Sequence, residues 1–286
     1  MAKITITDLL EAGCHFGHQT RRWNPKMKPY VYGAKNGISI IDLGKTMYQI
    51  ADACNFLQSV VVKGGDILFV GTKRQARDII KELAERTGMY SVSERWLGGT
   101  LTNNVTIRKS IAKMNSYDEI INSDAAASMK KKELVLLSRD AQKLHRNLDG
   151  IADMKRLPAA LVIVDVCHEQ NAVREAIKLN IPIVALVDTN GDPTQIDYPV
   201  AANDDAVKSI QIITNLFADA ILVAKEVYQK RVVEEKAAKA AAEKVAADQG
   251  EATEDKPKRA PRKPRAEGEK RAPRKAKAAA EAPAAE

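Results

Sequence analysis

Disulfide chemistry has little to work with in this chain. Its three cysteines, Cys14, Cys54 and Cys167, are odd in number and irregularly spaced, which excludes a disulfide framework. Aromatic residues make up only 5% of the 286 residues, and there are two tryptophans. No stretch approaches the roughly 18 consecutive apolar residues of a membrane span, so no membrane association is expected. The opening MAKITITDLLEAG lacks an apolar core and a small-residue cleavage site, so it does not read as a secretory signal. A reducing, cytoplasmic setting is the expectation. Both the GxxxxGK[ST] phosphate loop and the GxGxxG dinucleotide turn are missing. No Ser–His–Asp set or paired general acid and base stands out from spacing.

Acidic residues are absent from two long windows. Between Glu11 and Asp42 the chain carries Arg21, Arg22, Lys26, Lys28 and Lys35 with no carboxylate. Between Glu94 and Asp118 it carries Arg95, Arg108, Lys109 and Lys113, again with none. Each window holds an Arg–Trp pair, Arg22–Trp23 and Arg95–Trp96, whose tryptophans are expected as packing or stacking anchors. Guanidinium groups bind phosphate bidentately and aromatic faces stack on bases, so both windows point to RNA. Thr102, Asn103 and Asn104 add uncharged hydrogen-bonding partners for phosphate or ribose. Pro25 and Pro29 predict an extended, surface-laid loop for the first window. Lys73 and Arg74, in GTKRQ at a helix start, are further phosphate candidates.

The overall charge of +8 is unevenly spread. Residues 256–286 hold 11 basic and 4 acidic residues, a net +7, so the remainder of the chain is near neutral at about +1. The tail repeats KRAPRK at 258–263 and 270–275 and lacks large apolar residues, which predicts disorder over 250–286. The Ala/Lys/Glu-rich 229–249 predicts a helical extension without an apolar stripe.

The rest predicts an α/β fold, a Rossmann-like doubly wound parallel sheet over 1–101 and 152–228. Its strands are ISIIDL (38–43), DILFVGTK (66–73), MYSVS, PAALVIVDV (158–166) and IPIVALVDT (181–189), with amphipathic helices between them. Gly88 is placed as a helix stop, and a long helix is expected from Asp204, with Asn203 or Asp204 as its N-cap. Residues 102–151 break the rhythm: Leu134, Leu137, Ala141, Leu144, Leu148 and Ile151 step by three and four, matched by Ile107, Ile111, Met114 and Ile121. This predicts an inserted antiparallel coiled-coil helical hairpin.

Two clusters invite a metal reading. Cys14, His15 and His18 lie close together, but structural zinc takes four ligands and no second CxxC or HxxxH follows, so these histidines read as local structure. Asp188, Asp204 and Asp205 lie at or beyond strand C-terminal ends, where oxygen ligands suit a structural Mg2+ or Zn2+; helix capping for Asp204 and turn formation for Asp192 are the plainer roles. No cofactor is required.

The blocks LLEAGCHFGHQTRRWNPKMKPYVYG, FVGTKRQ, RWLGGTLTN and PAALVIVDVCHEQNAVREAIKLNIPIVALVDTNGDP closely resemble the bacterial small-subunit ribosomal protein S-two family over residues 1–228. The resemblance implies a Rossmann-like domain with a protruding coiled coil, bound to 16S rRNA among neighbouring small-subunit proteins. It also implies recruitment of the mRNA-binding ribosomal protein S-one, and no catalysis. An α/β enzyme acting on a phosphorylated ligand is the competing expectation.

Overall fold

Three strands with no polar residue form the centre of the molecule: β4 (Ile67–Val70), β6 (Ala160–Val164) and β7 (Ile183–Val187) are buried at every position. Strands apolar on both sides must be covered on both sides, and alternate residues here serve two separate cores. Ile67, Phe69, Val162, Val164 and Leu186 pack with Leu57, Ile80 and Phe217. Leu68, Val70, Leu161, Ile163 and Ala185 pack with Ala172, Val173, Ala176 and Ile151. With the short edge strands β5 (Tyr90–Val92) and β8 (Tyr198–Ala201), they make a five-stranded parallel sheet ordered β5-β4-β6-β7-β8. The computed structural model describes residues 4–123 and 129–251, with side chains to Glu234.

Helices α2 (Leu43–Val62) and α3 (Arg77–Thr87) supply buried residues to the first core, and α6 (Gln170–Lys178) to the second. Asp42 caps α2 by accepting from the Gly44 amide, and α3 ends at Gly88 in the left-handed conformation, φ 61°. The last described helix, α7 (Val207–Glu251), starts after Asn203 accepts from the Asp205 and Ala206 amides, so Asn203 caps this turn and Asp204 does not. Its segment Val207–Glu234 is long and apolar enough to cross a membrane by length and mean hydropathy, 1.5. That apolarity is explained by the core, because Ile210, Ile213, Phe217, Ile221 and Ala224 are buried there. The chain divides into compact units at Met1–Glu235 and Lys236–Glu286. The basic repeats at 258–263 and 270–275, and the disorder expected around them, lie outside the described residues.

ISII does not join the parallel sheet. It forms β3 (Ile38–Ile41), the middle strand of a separate antiparallel sheet between β1 (Phe16–Gln19) and β2 (Val31–Lys35). Asn36 and Gly37, φ 53° and 74°, make the two-residue turn from β2 to β3. Both turn positions need positive φ, and Asn-Gly supplies it at least cost.

Helices α4 (Asn104–Asn122) and α5 (Lys131–Leu148) pack against each other. The seam residues Ile107, Met114, Ala141 and Leu148 are buried, whereas Val105, Val135 and Leu136 stay exposed. The polar break at Asp118 has a partner: His145 Nε2 lies 2.8 Å from Asp118 Oδ2, and His145 Nδ1 lies 2.6 Å from Asp149 Oδ1. Hydrogen bonding to Asp118 and then to Asp149 raises the His145 pKa above its ordinary 6.5. A histidine with a raised folded-state pKa contributes stability that is complete below the unfolded value and lost as pH rises through the folded one. His145→Gln is therefore expected to lower the melting temperature at pH 6, with the gap to wild type closing as pH rises past the folded pKa. A gap independent of pH between 6 and 9 contradicts this.

Candidate nucleic-acid interface

The first acid-free window is coiled rather than extended. Two 3-10 turns, Thr20–Arg22 and Pro25–Tyr30, replace the open loop expected from its prolines. Asn24 accepts from the Lys26 amide and Pro25 occupies the first helical position, where its fixed φ suits a turn. Met27, 1% exposed, plugs into the second core, so the chain around it faces outward. Arg21, Arg22, Trp23, Lys26 and Lys28 are all exposed. Arg21 Nε donates to Gln19 Oε1 at 2.9 Å, and Lys26 pairs with Asp192 at 2.6 Å. Arg22 and Lys28 make no ion pair among the described residues.

In the second window the two tryptophans part company. Trp23 is exposed, but Trp96 is 6% exposed, and its indole N–H donates to Glu175 Oε1 at 3.0 Å. The same carboxylate accepts from the amides of Gly99 (2.8 Å), Leu101 (3.0 Å) and Thr102 (3.1 Å), and from the Thr102 hydroxyl (3.1 Å). Burial opposes ionisation of Glu175, yet the Gly99 amide, the Trp96 indole and the Thr102 and Leu101 amides together hold its pKa below the usual carboxylate value. The Gly99, Leu101 and Thr102 amides thus converge on an internal anion, which shapes the loop. Trp96 is a packing anchor, and Thr102 spends its hydroxyl on Glu175. Arg95, Thr102, Asn103, Arg108 and Lys109 are exposed, and Asn104 is half-buried. Arg108 also donates to the Lys155 carbonyl. Nothing in the spacing marked Glu175, which looks like any acid on an amphipathic helix.

Lys73 points inward, while Arg74 is exposed. The Lys73 ammonium lies 2.6 Å from Asp205, 2.8 Å from Asp204 and 3.2 Å from Asp165. Burial alone lowers its pKa, but hydrogen bonds to Asp204 and Asp205 outweigh that and raise it. Asp204, buried beside Asp165 and Asp188, is pushed up to about 7, with desolvation the largest cause. His18 stands 2.8 Å from Asp188, and that hydrogen bond raises its pKa. The cluster therefore unites Asp188 and Asp204 with His18, a residue the sequence placed in local structure. Asp205, half-exposed, turns to Lys73. Cys14 is fully buried, and burial pushes its thiol up, so it is a core residue. Asp192 has its expected turn role, accepting from the Thr194 amide.

The domain is thus a parallel α/β fold that pairs half-buried Lys73 and His18 with aspartates and leaves Arg21, Arg22, Arg95 and Lys109 exposed. The family model described as ribosomal protein S2 matches residues 9–224. The chain belongs to the ribosomal protein S2 family, which makes it a structural protein of the small ribosomal subunit with a role in translation, and not an enzyme.

Two substitutions separate these internal networks from the exposed surface. Lys73→Met leaves Asp165 and Asp204 buried without their cation, and about 3 kcal/mol of stability is expected to go; urea denaturation measures it. Glu175→Ala orphans the amides of Gly99 and Leu101 and the Trp96 indole, for an expected loss of about 2–3 kcal/mol. Arg95→Ala, at an exposed position, stays within roughly 0.5 kcal/mol of wild type. Equal stabilities for Glu175→Ala and Arg95→Ala would refute the role given to Glu175.

Proposed function

We propose that this chain binds 16S rRNA as a structural constituent of the small subunit and supports docking of ribosomal protein S-one. The observation that carries the RNA reading is the exposed, acid-free segment Arg21–Lys28, held outward by the buried Met27. Arg21, Arg22, Lys26 and Lys28 are read as phosphate contacts and Trp23 as a stacking face. Arg95, Asn103, Asn104, Arg108 and Lys109 form a second patch beside the Glu175-bound loop, with Thr102 at its edge; Arg74 is a peripheral contact. Lys73 and Trp96 support these surfaces from within.

In this reading residues 1–101 and 152–228 are a Rossmann-like doubly wound domain, and 102–151 a coiled-coil hairpin that gives reach toward neighbouring small-subunit proteins. The helical extension 229–249 leads to the basic tail 250–286, which adds salt-sensitive RNA affinity. The protein acts on the ribosome in the cytoplasm.

Sedimentation tests the reading directly: the protein is expected to travel with small subunits and to be released by ribonuclease or high salt. Replacing Arg21 and Arg22 with Ala removes two phosphate contacts, so the slope of log affinity against log salt for 16S rRNA should fall by about 1.5. An unchanged slope, or sedimentation only as free protein, refutes the assignment. Charge reversal on the exposed faces of α4 and α5 is expected to cost protein partners while RNA binding persists.

A further inference from the structure

We propose that the pocket between α6 and the turn after β7 takes one unpaired adenine from the RNA strand whose backbone lies on Arg21–Lys28. This rests on the RNA reading and adds to it a place where a base is read. The pocket has a volume of about 270 Å3. A cavity of about 150 Å3 accepts one benzene ring, so this one has room for the two fused rings of a purine. Gln170, Val173 and Arg174 share one face of α6 by their spacing and form one wall. Opposite them stand Asn190, which follows β7, and Gln195, from the 3-10 turn Pro193–Gln195. Asn24, from the acid-free window, also lines the pocket, and its amide donates to the Thr189 carbonyl at 2.8 Å. That bond ties the window to the loop after β7, so the pocket adjoins the exposed arginines.

The lining suits a neutral ring and not a phosphate. Val166 and Val173, 7% and 2% exposed, supply its apolar part. Among the described residues that line it, Arg174 is the one cation and Asp192 the one carboxylate, so the two charges cancel and a phosphate would meet Asp192. Arg174 is exposed, and a guanidinium plane of this kind stacks on an unpaired base.

The remaining polar groups are four carboxamides: Asn24, Gln170, Asn190 and Gln195. A carboxamide offers a donor and an acceptor side by side, which match the N7 and N6 edge of adenine. Asn24 Oδ1 accepts from the Lys26 amide at 3.0 Å, which leaves its Nδ2 to donate. Asn190 Oδ1 is shielded from solvent and has no hydrogen-bond partner among the described residues. Such an oxygen is costly to leave unpaired, and a turn of the half-buried side chain brings it to a base N–H. Gln170 and Gln195 are exposed and free to close on an entering ring.

Cys167 lines the pocket and reports on its occupancy in the wild-type chain. It is exposed while Cys14 and Cys54 are buried, so maleimide labelling reads this position alone. In full-length protein, 16S rRNA is expected to protect Cys167 from labelling. Polyadenylate should protect it as well, whereas polycytidylate bound to the same extent leaves it reactive. Adenosine monophosphate at the same nucleotide concentration is expected to give no protection, because the strand's backbone contacts are missing. Gln195→Leu, at an exposed position that leaves the fold intact, should lower 16S rRNA affinity about tenfold. Its salt slope should match wild type, because no phosphate contact is lost. Labelling of Cys167 at the free-protein rate in the 16S rRNA complex, equal protection by polycytidylate, protection by the monophosphate, or wild-type affinity of Gln195→Leu overturns the pocket. Each of those results leaves the RNA reading standing; that reading fails instead if the protein binds no 16S rRNA.

Discussion

Carboxylates buried at the C-terminal ends of parallel strands must be neutralised where they stand, and much of this structure follows from that demand. Asp165 follows β6, Asp188 follows β7 and Asp204 follows β8, so the sheet itself gathers negative charge at one edge. Lys73, delivered by the loop after β4, answers two of them, and His18, delivered by β1, answers the third. These pairs join segments far apart in the chain. They add to backbone links in the same place, from Asn24 N–H to the Thr189 carbonyl and from Asn203 N–H to the Cys14 carbonyl. The amino-terminal sheet is seated against the main sheet by this junction.

The seating has a consequence for the outer surface. With β1 fixed and Met27 inserted into the core, the residues between them form two tight turns whose cations face solvent. The second basic window is shaped by a different internal anion, Glu175, which gathers the amides of the Gly99–Thr102 loop. In both places an inward contact sets how the outward residues are presented. The near-neutral charge of the chain before its tail fits this division, because many of its ionic groups are matched inside the fold.

Legibility in the sequence followed the physics of each element. Uniformly apolar strands such as ALVIV and IVALV admit little but a doubly covered sheet, and the helix ending at Gly88 carried its own stop. ISII was misplaced because apolar content marks burial and says nothing of which partner it pairs with. The better clue was Asn36–Gly37, a hairpin turn that assigns the strand to an antiparallel neighbour. β8 was hidden by its length of four residues and by Pro199, tolerable because the strand lies at a sheet edge. Prolines in the first window suggested extension, but an Asn cap before Pro25 turns the same residues into 3-10 helix.

Composition and spacing by themselves determined the α/β class, the paired helices between the two halves of the sheet and the concentration of positive charge in the tail, and the resemblance of its ordered motif blocks identified the family. These depend on local periodicity and on residue order, which the chain carries without folding. Which charged residues remain available to a ligand was decided only by tertiary structure. Lys73 and Arg74 are neighbours, yet one is enclosed by aspartates and the other is exposed. Trp23 and Trp96 each follow an arginine, yet one is open to solvent and the other is bonded to Glu175. Partners 79 and 131 residues away settle those differences, and no local pattern encodes contacts at that range.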